Sequence, residues 1–201
     1  MKIVCVGWNY RAHVKELNNE VPEEPVLFLK PETAVIQGNE VAIPEFTKEL
    51  HHEVEVLVKI SKAVKNIQPE FAEDYFTEIG LGIDFTARDL QSRLKSKGMP
   101  WEKAKAFDNA ALIGKFLPKE NFDLKNLDFS LLKNGQIQQQ GNTSNMIFAI
   151  PQLIAHISRF FTLQAGDVIF TGTPFGVSKL EANDHLEGFL DGKKNFEIFI
   201  K

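Results

Sequence analysis

Apolar and polar residues alternate most regularly over 53–61, where Val54, Val56, Val58 and Ile60 fall on one face and Glu53 and Glu55 on the other. Period two predicts a strand with its valine face in the core. Shorter apolar runs predict strands at 2–6, at 26–31 and, after a turn at Gly38-Asn39-Glu40, at 41–43. The apolar, glycine-containing run 76–85 reads as a buried strand. Residues 129–140 predict a hairpin around Asn134-Gly135, since Asn-Gly favours the tight turns that match strand twist. A strand at 167–170, the loop 171–176 and two further strands about Asp191-Gly192-Lys193 complete the β pattern.

Helices are predicted at 9–17, with Asn9 near the start, and at 69–75. A third runs to Lys97, opened by Thr86-Ala87-Arg88-Asp89 in capping-box form and stopped by Gly98. The fourth, 143–161, is either kinked or started by Pro151. Strands outnumber helices and are joined mostly by turns, which predicts a β-rich α+β fold rather than a doubly wound one. No repeat or linker divides the chain, so residues 1–201 are expected to form one domain.

Composition narrows the function classes. A net charge of -4 with no concentrated basic patch argues against a nucleic-acid partner. No run approaches the roughly 20 apolar residues of a membrane span, and the N-terminal apolar run is too short for a signal peptide. A reducing compartment, cytosolic or organellar, is expected, with the cytoplasm as the default. Cys5, the only cysteine, lies in an apolar run and reads as a buried, inert thiol. The 17 phenylalanines, against 2 tyrosines and 2 tryptophans, read as core filling.

Four groups of residues carry candidate chemistry. Glu53 and Glu55 project side by side from one strand face, where they repel unless a proton or cation lies between them. A hard divalent cation meets that need. An exposed strand face, where glutamate is ordinary, explains the same spacing. Zinc fits less well, because Val56 stands where the helical His-Glu-x-x-His motif requires histidine. Asp84, at a strand end, is placed either as a third oxygen ligand or as a helix cap. His13 and Glu16 share a helix face at i, i+3, which suits either a general base with its orienting carboxylate or a solvated pair. Arg88 and Gln91 have the same spacing. These two, with Lys30 and Lys105, serve either as anchors for an anionic substrate or as surface polarity.

Taken together, the ordered blocks resemble the fumarylacetoacetate hydrolase family. They are Gly7-x-Asn9-Tyr10-x-x-His13-x-x-Glu16, Leu29-Lys30-Pro31, His51-His52-Glu53-x-Glu55, Asp84-x-Thr86-x-Arg88-Asp89-x-Gln91, Lys105-x-Phe107 and Thr171-Gly172-Thr173-Pro174-x-Gly176. The resemblance runs from Val4 to about Asp184 and is strongest to the compact branch of acylpyruvate hydrolases and oxaloacetate decarboxylases.

It implies a mixed β-sandwich roll of the family's C-terminal domain type, usually a homodimer, holding Mg²⁺ or Mn²⁺ on Glu53, Glu55 and Asp84. It further implies a water-activating dyad of His13 and Glu16 on a segment that acts as a lid, a pocket lysine at Lys105, and substrate contacts at Lys30, Arg88, Gln91 and Thr173. The implied activity is C–C cleavage of a small 2-keto acid (acylpyruvate hydrolysis, with oxaloacetate decarboxylation on the same site). Isomerisation or hydration of unsaturated 2-keto acids is the sister reaction, and a silent ligand-binding protein is the non-enzymatic alternative. Trp8 departs from relatives that carry arginine there, which leads to the expectation that the distal end of the substrate is apolar or small.

Overall fold

The computed structural model describes residues 1–17 and 19–201. Its first half contains β1 (Ile3–Gly7), α1 (Arg11–Glu16), β2 (Val26–Lys30), β3 (Glu40–Val41), β4 (Leu50–His52), β5 (Val54–Ile60), β6 (Phe76–Asp84), β7 (Thr86–Ala87) and α2 (Arg88–Ser96). Then follow α3 (Glu102–Lys105), β8 (Ala111–Ile113), β9 (Leu117–Pro118), β10 (Asp128–Lys133), β11 (Gln136–Asn142), α4 (Ile150–Phe160), β12 (Val168–Phe170), β13 (Ser178–Lys179), β14 (His185–Leu190) and β15 (Lys193–Ile200).

One sheet has the order β2-β1-β12-β5-β6-β8, with β9 also paired to β6. A second runs β11-β10-β14-β15-β3, and a small third runs β13-β4-β7. The chain is thus strand-rich and mixed α+β, with parallel pairing only at β1–β12 and β15–β3 among the described strands. The two larger sheets meet over one apolar cluster that includes Val56 and Leu81 from the first and Leu131 and Ile198 from the second. No helix among the described residues is long and apolar enough to cross a membrane.

Local expectations are met where they rest on near neighbours. The Asn134-Gly135 turn joins β10 to β11, with Asn134 at φ 53° and Gly135 at φ 79°. The 69–75 segment is helical, as a 3₁₀ helix. Of the two readings of Pro151 in the 143–161 segment, the second holds: the helix begins at Ile150, with Pro151 in its first turn, where a missing N–H costs nothing, and 143–145 is a separate 3₁₀ turn. Two local details differ. Asn9 does not cap α1. It staples three loops, donating from Nδ2 to the carbonyls of Thr171 (2.8 Å) and Phe148 (3.0 Å) and accepting from the Phe148 N–H (2.8 Å). Thr86 does not cap α2 either: it pairs with His51 as part of β7, and the helix starts at Arg88.

Candidate active site

Antiparallel pairing of β5 with β6 sets Val54 against Ile83 and Glu55 against Gly82. The same register carries Glu53 opposite Asp84, and the Asp84 N–H donates to the Glu53 carbonyl at 2.9 Å. Glu53, Glu55 and Asp84 each offer a carboxylate oxygen, all within 4.8 Å of one another, and all three residues are buried. The face carrying Glu53 and Glu55 is therefore an interior one, not the exposed alternative. Asp84 is not a helix cap.

Burial of three carboxylates demands compensation. Lys105 closes α3, and its buried ammonium donates to Glu53 Oε2 and Asp84 Oδ2, both at 2.7 Å, and to Thr86 Oγ1 at 2.5 Å. All three of its hydrogens are used. The Arg88 guanidinium bonds Glu53 Oε1 from one side and Gln91 Oε1 from the other (2.6 Å). Burial pushes the Glu53 carboxyl up, but Lys105 and Arg88 outweigh it and hold the group below the usual carboxylate range. Burial likewise opposes the charged form of Lys105, and Asp84 and Glu53 outweigh it, raising the ammonium above its ordinary value.

Lys30 corrects an expectation. Its side chain is 0% exposed, and its ammonium lies 2.8 Å from Asp84 Oδ1 while donating to the carbonyls of Lys105 and Ala110. It does not line the pocket in this structure and holds Asp84 from behind.

Glu55 is treated differently. Oε2 accepts the Gly172 N–H at 2.6 Å, and no cation lies within salt-bridge distance among the described residues. Gly172 has φ 103°, and a Cβ there would come within 2.6 Å of Asn9 Cβ, so only glycine brings this N–H so close. Burial, and after it Asp84 and Glu53, push the Glu55 carboxyl well above the usual range. An all-oxygen trio in which one carboxylate lacks a cation suits a hard divalent ion such as Mg²⁺ or Mn²⁺. His51 and His52 are not part of that trio. Burial lowers both to about 4, so both are neutral at pH 7. His52 is held between Gln139 Oε1 (2.9 Å) and Ser178 Oγ (2.8 Å).

Glu55 yields a prediction about pH. A raised value in the fold means that the cation-free protein is stabilised by the proton. That contribution is full below the ordinary value of 4.5 and is lost as pH rises through the raised one. In EDTA, Glu55→Gln should therefore melt at or above the wild-type temperature at pH 7, with the gap widening as pH rises. Mn²⁺ should raise the melting temperature of the wild type only. A Glu55→Gln protein less stable than wild type in EDTA at pH 7 would contradict this account.

The trio forms the floor of a pocket of about 20 Å³. That holds an ion or a water but no keto acid, so the walls must part to admit a substrate. α1 supplies the cover through His13, with Leu17 just beyond it. His13 is 3% exposed, and Nδ1 lies 2.8 Å from Glu16 Oε2; Glu16 Oε1 in turn accepts the Gly176 N–H at 3.1 Å. The expected pair is thus buried and oriented rather than solvated. Thr173 lines the pocket, but its hydroxyl donates to the Val54 carbonyl (2.9 Å) and accepts from Gln139 Nε2 (2.9 Å).

Phe28, Trp8 and Trp101 form an aromatic wall, with Trp101 centroids 5.4 Å from Trp8 and 6.1 Å from Phe28. Trp8 has φ 60°; the other described residues at positive φ are Asn, Asp or Gly. A bulky side chain in this region costs on the order of 1–2 kcal/mol and is a feature of strained functional sites. Trp8 in this conformation is one of the residues that line the pocket. It does not leave the pocket mouth uncharged, however, for the Lys95 ammonium lies 4.7 Å above its ring. The argument from Trp8 to an apolar substrate tail loses its basis.

Gln139 and Trp101 were invisible to sequence reasoning. Gln139 sits in a polar hairpin, yet it is buried and ties Val54, His52, Thr173 and Pro174 together around the carboxylates. Gln138-Gln139-Gln140 has no pattern to mark one of the three as structural.

Residues 2–196 match the family model described as fumarylacetoacetate (FAA) hydrolase C-terminal. Oxaloacetate tautomerase YcgM of Escherichia coli (strain K12) is 47% identical over 194 residues, covering 95% of this chain and 89% of that protein. Mitochondrial oxaloacetate tautomerase FAHD1 of Bos taurus is 44% identical over 201 residues, covering 99% of this chain and 91% of that protein. Fumarylpyruvate hydrolase from Pseudomonas aeruginosa, solved in complex with Mn²⁺ and pyruvate, superposes with a TM-score of 0.94 at 34% identity, covering 100% of this chain and 89% of that one. The chain belongs to the fumarylacetoacetate hydrolase family. It is an enzyme of that family, whose members process 2-keto acids.

Proposed function

We propose that this enzyme uses a divalent cation to interconvert the keto and enol forms of oxaloacetate or a close 2-keto acid. The observation that carries the reading is the buried carboxylate trio with Lys105 at its edge and one member, Glu55, lacking a cation partner. The names of the tautomerase relatives support the substrate class, and the Mn²⁺–pyruvate complex of the hydrolase relative supports the cation and the 2-keto acid head group. Bound on Glu53, Glu55 and Asp84, Mg²⁺ or Mn²⁺ would supply Lewis-acid polarisation of the substrate's carboxylate and keto oxygens.

The chain's own residues supply the rest. His13, oriented by Glu16, takes a proton from C3 as the C–H bond breaks. Negative charge grows on the C2 oxygen. Lys105 faces that charge by exchanging one of its hydrogen bonds to the carboxylates for one to the oxygen. Proton return to oxygen gives the enol, and return to C3 regenerates the ketone. Arg88 and Gln91 orient the substrate, the Thr173 loop shapes the pocket, and Lys30 fixes Asp84.

Hydrolysis of acylpyruvates is a second reading, favoured by the buried His13–Glu16 pair, which can equally take a proton from a water attacking the C4 carbonyl. C3–C4 cleavage then leaves the enolate of pyruvate. The test is to follow enol-oxaloacetate decay and acetylpyruvate loss with Mg²⁺, with Mn²⁺ and with EDTA. Cation-dependent acceleration of the first is expected. Acceleration of acetylpyruvate loss alone would move hydrolysis ahead, and activity indifferent to EDTA would overturn the cation's role.

A further inference from the structure

Arg88, Gln91 and Lys95 lie at i, i+3 and i+7 of α2, spacings that share one helix face. The first two line the pocket. Lys95 stands one turn further out, about 6 Å beyond Gln91 along the helix axis. Its half-buried side chain carries the ammonium over the Trp8 ring, and Trp8 is itself a wall of the pocket.

The surroundings of this ammonium set it apart from the other cations of the site. Lys30, Lys105 and Arg88 each already serve a buried carboxylate. Lys95 has one hydrogen bond, to Asn19 Oδ1 at 3.1 Å, and no carboxylate within salt-bridge distance among the described residues. Burial, and then the nearby Arg88, lower it from its ordinary value, so Arg88 and Lys95 place two positive charges along one edge of the mouth. An ammonium resting on an aromatic face keeps its remaining hydrogens for another acceptor.

We infer that Lys95, held on the Trp8 indole, is a specificity-determining residue that receives the distal carboxylate of a C4 2-keto dicarboxylate. This rests on the proposed function for its head-group site and extends it to the far end of the substrate. A 2-keto acid whose first carboxylate and keto oxygen sit at the trio points its remaining carbons toward the open side of the pocket. A second carboxylate buried there without a partner would be costly, and of the four cations at or beside the pocket (Lys30, Arg88, Lys95 and Lys105) Lys95 is the one that serves no carboxylate among the described residues. Asn19, on the chain beyond α1, is the acceptor it gives up or shares.

The test compares two ligands of nearly one shape. 2-Oxobutyrate carries a methyl group where oxaloacetate carries its distal carboxylate. Binding of each to the Mn²⁺-loaded protein is measured by calorimetry for wild type, Lys95→Met and Lys95→Arg. The wild type should bind oxaloacetate at least tenfold more tightly than 2-oxobutyrate. Lys95→Met should bring that ratio near one, and Lys95→Arg should keep most of it. An unchanged ratio in Lys95→Met would overturn the inference. So would an equal loss for both ligands, which would make Lys95 a latch on Asn19. A wild type that discriminates but turns over neither oxaloacetate tautomer would overturn the proposed function and leave this recognition standing.

Discussion

Glu53→Gln should lower turnover of the preferred 2-keto acid by about three orders of magnitude and abolish the thermal stabilisation that Mn²⁺ confers. Glu53 accepts from Lys105 through one oxygen and from Arg88 through the other. The amide keeps the shape but has one acceptor and presents an N–H group to a cation. If Glu53 holds the cation as proposed, its loss removes Lewis-acid assistance that is worth several kcal/mol, and about 4 kcal/mol corresponds to a thousandfold. The variant should also be destabilised without any cation, on the order of 2–4 kcal/mol, because Lys105 and Arg88 are left buried with less compensation. Glu55→Gln is expected to do the reverse to the cation-free protein, since Glu55 has no such partner to orphan. The contrast separates a ligand role from a purely structural one. Chemical denaturation in EDTA, paired with melting curves in Mn²⁺, measures both. Equal destabilisation by the two variants would mean that the cluster is not organised as described.

The second large effect concerns His13. Reactions that begin by removing a proton, from C3 of oxaloacetate or from an attacking water, should fall about 10²–10⁴-fold in His13→Ala. Decarboxylation of oxaloacetate forms the same kind of enolate by losing CO₂ and needs no base at that step. It should persist within about tenfold, the remainder reflecting the lost cover of α1. Glu16→Gln should give a smaller loss of the same pattern, because the amide still orients the imidazole but no longer supports its positive charge. Stopped-flow measurement of tautomerisation beside CO₂ release decides it. If both reactions fall together, His13 acts mainly by closing the pocket.

The strongest single contributions to the site separate into two kinds. Pairs within one element were legible directly. His13–Glu16 and Arg88–Gln91 are both hydrogen-bonded as i, i+3 spacing implies, because a helix fixes the geometry of residues three apart whatever surrounds it. The valine face of β5 and the Asn134-Gly135 turn followed from period and turn chemistry in the same way. The six ordered blocks identified the family, which residues 2–196 bear out.

The rest depends on contacts between distant parts of the chain. Nothing in the spacing of Glu53, Glu55 and Asp84 states that β5 and β6 pair in the one register that sets Glu53 against Asp84. That register follows from which faces are buried, a property of the assembled sheets. The same holds for the difference between Glu53 and Glu55. Two glutamates on one strand face shift in opposite directions from the ordinary carboxylate value because Lys105 and Arg88, from α3 and α2, pair only with the first. Lys30, read as a substrate contact, is carried behind Asp84. Gln139 is brought from a hairpin to the back of the site, and Lys95 is laid on Trp8 across 87 positions of chain. Residue type and local period thus set what each segment could offer. Packing determined which charges are neutralised, which are left over for a ligand, and where the open side of the pocket faces, because those depend on burial and distance between segments remote in sequence.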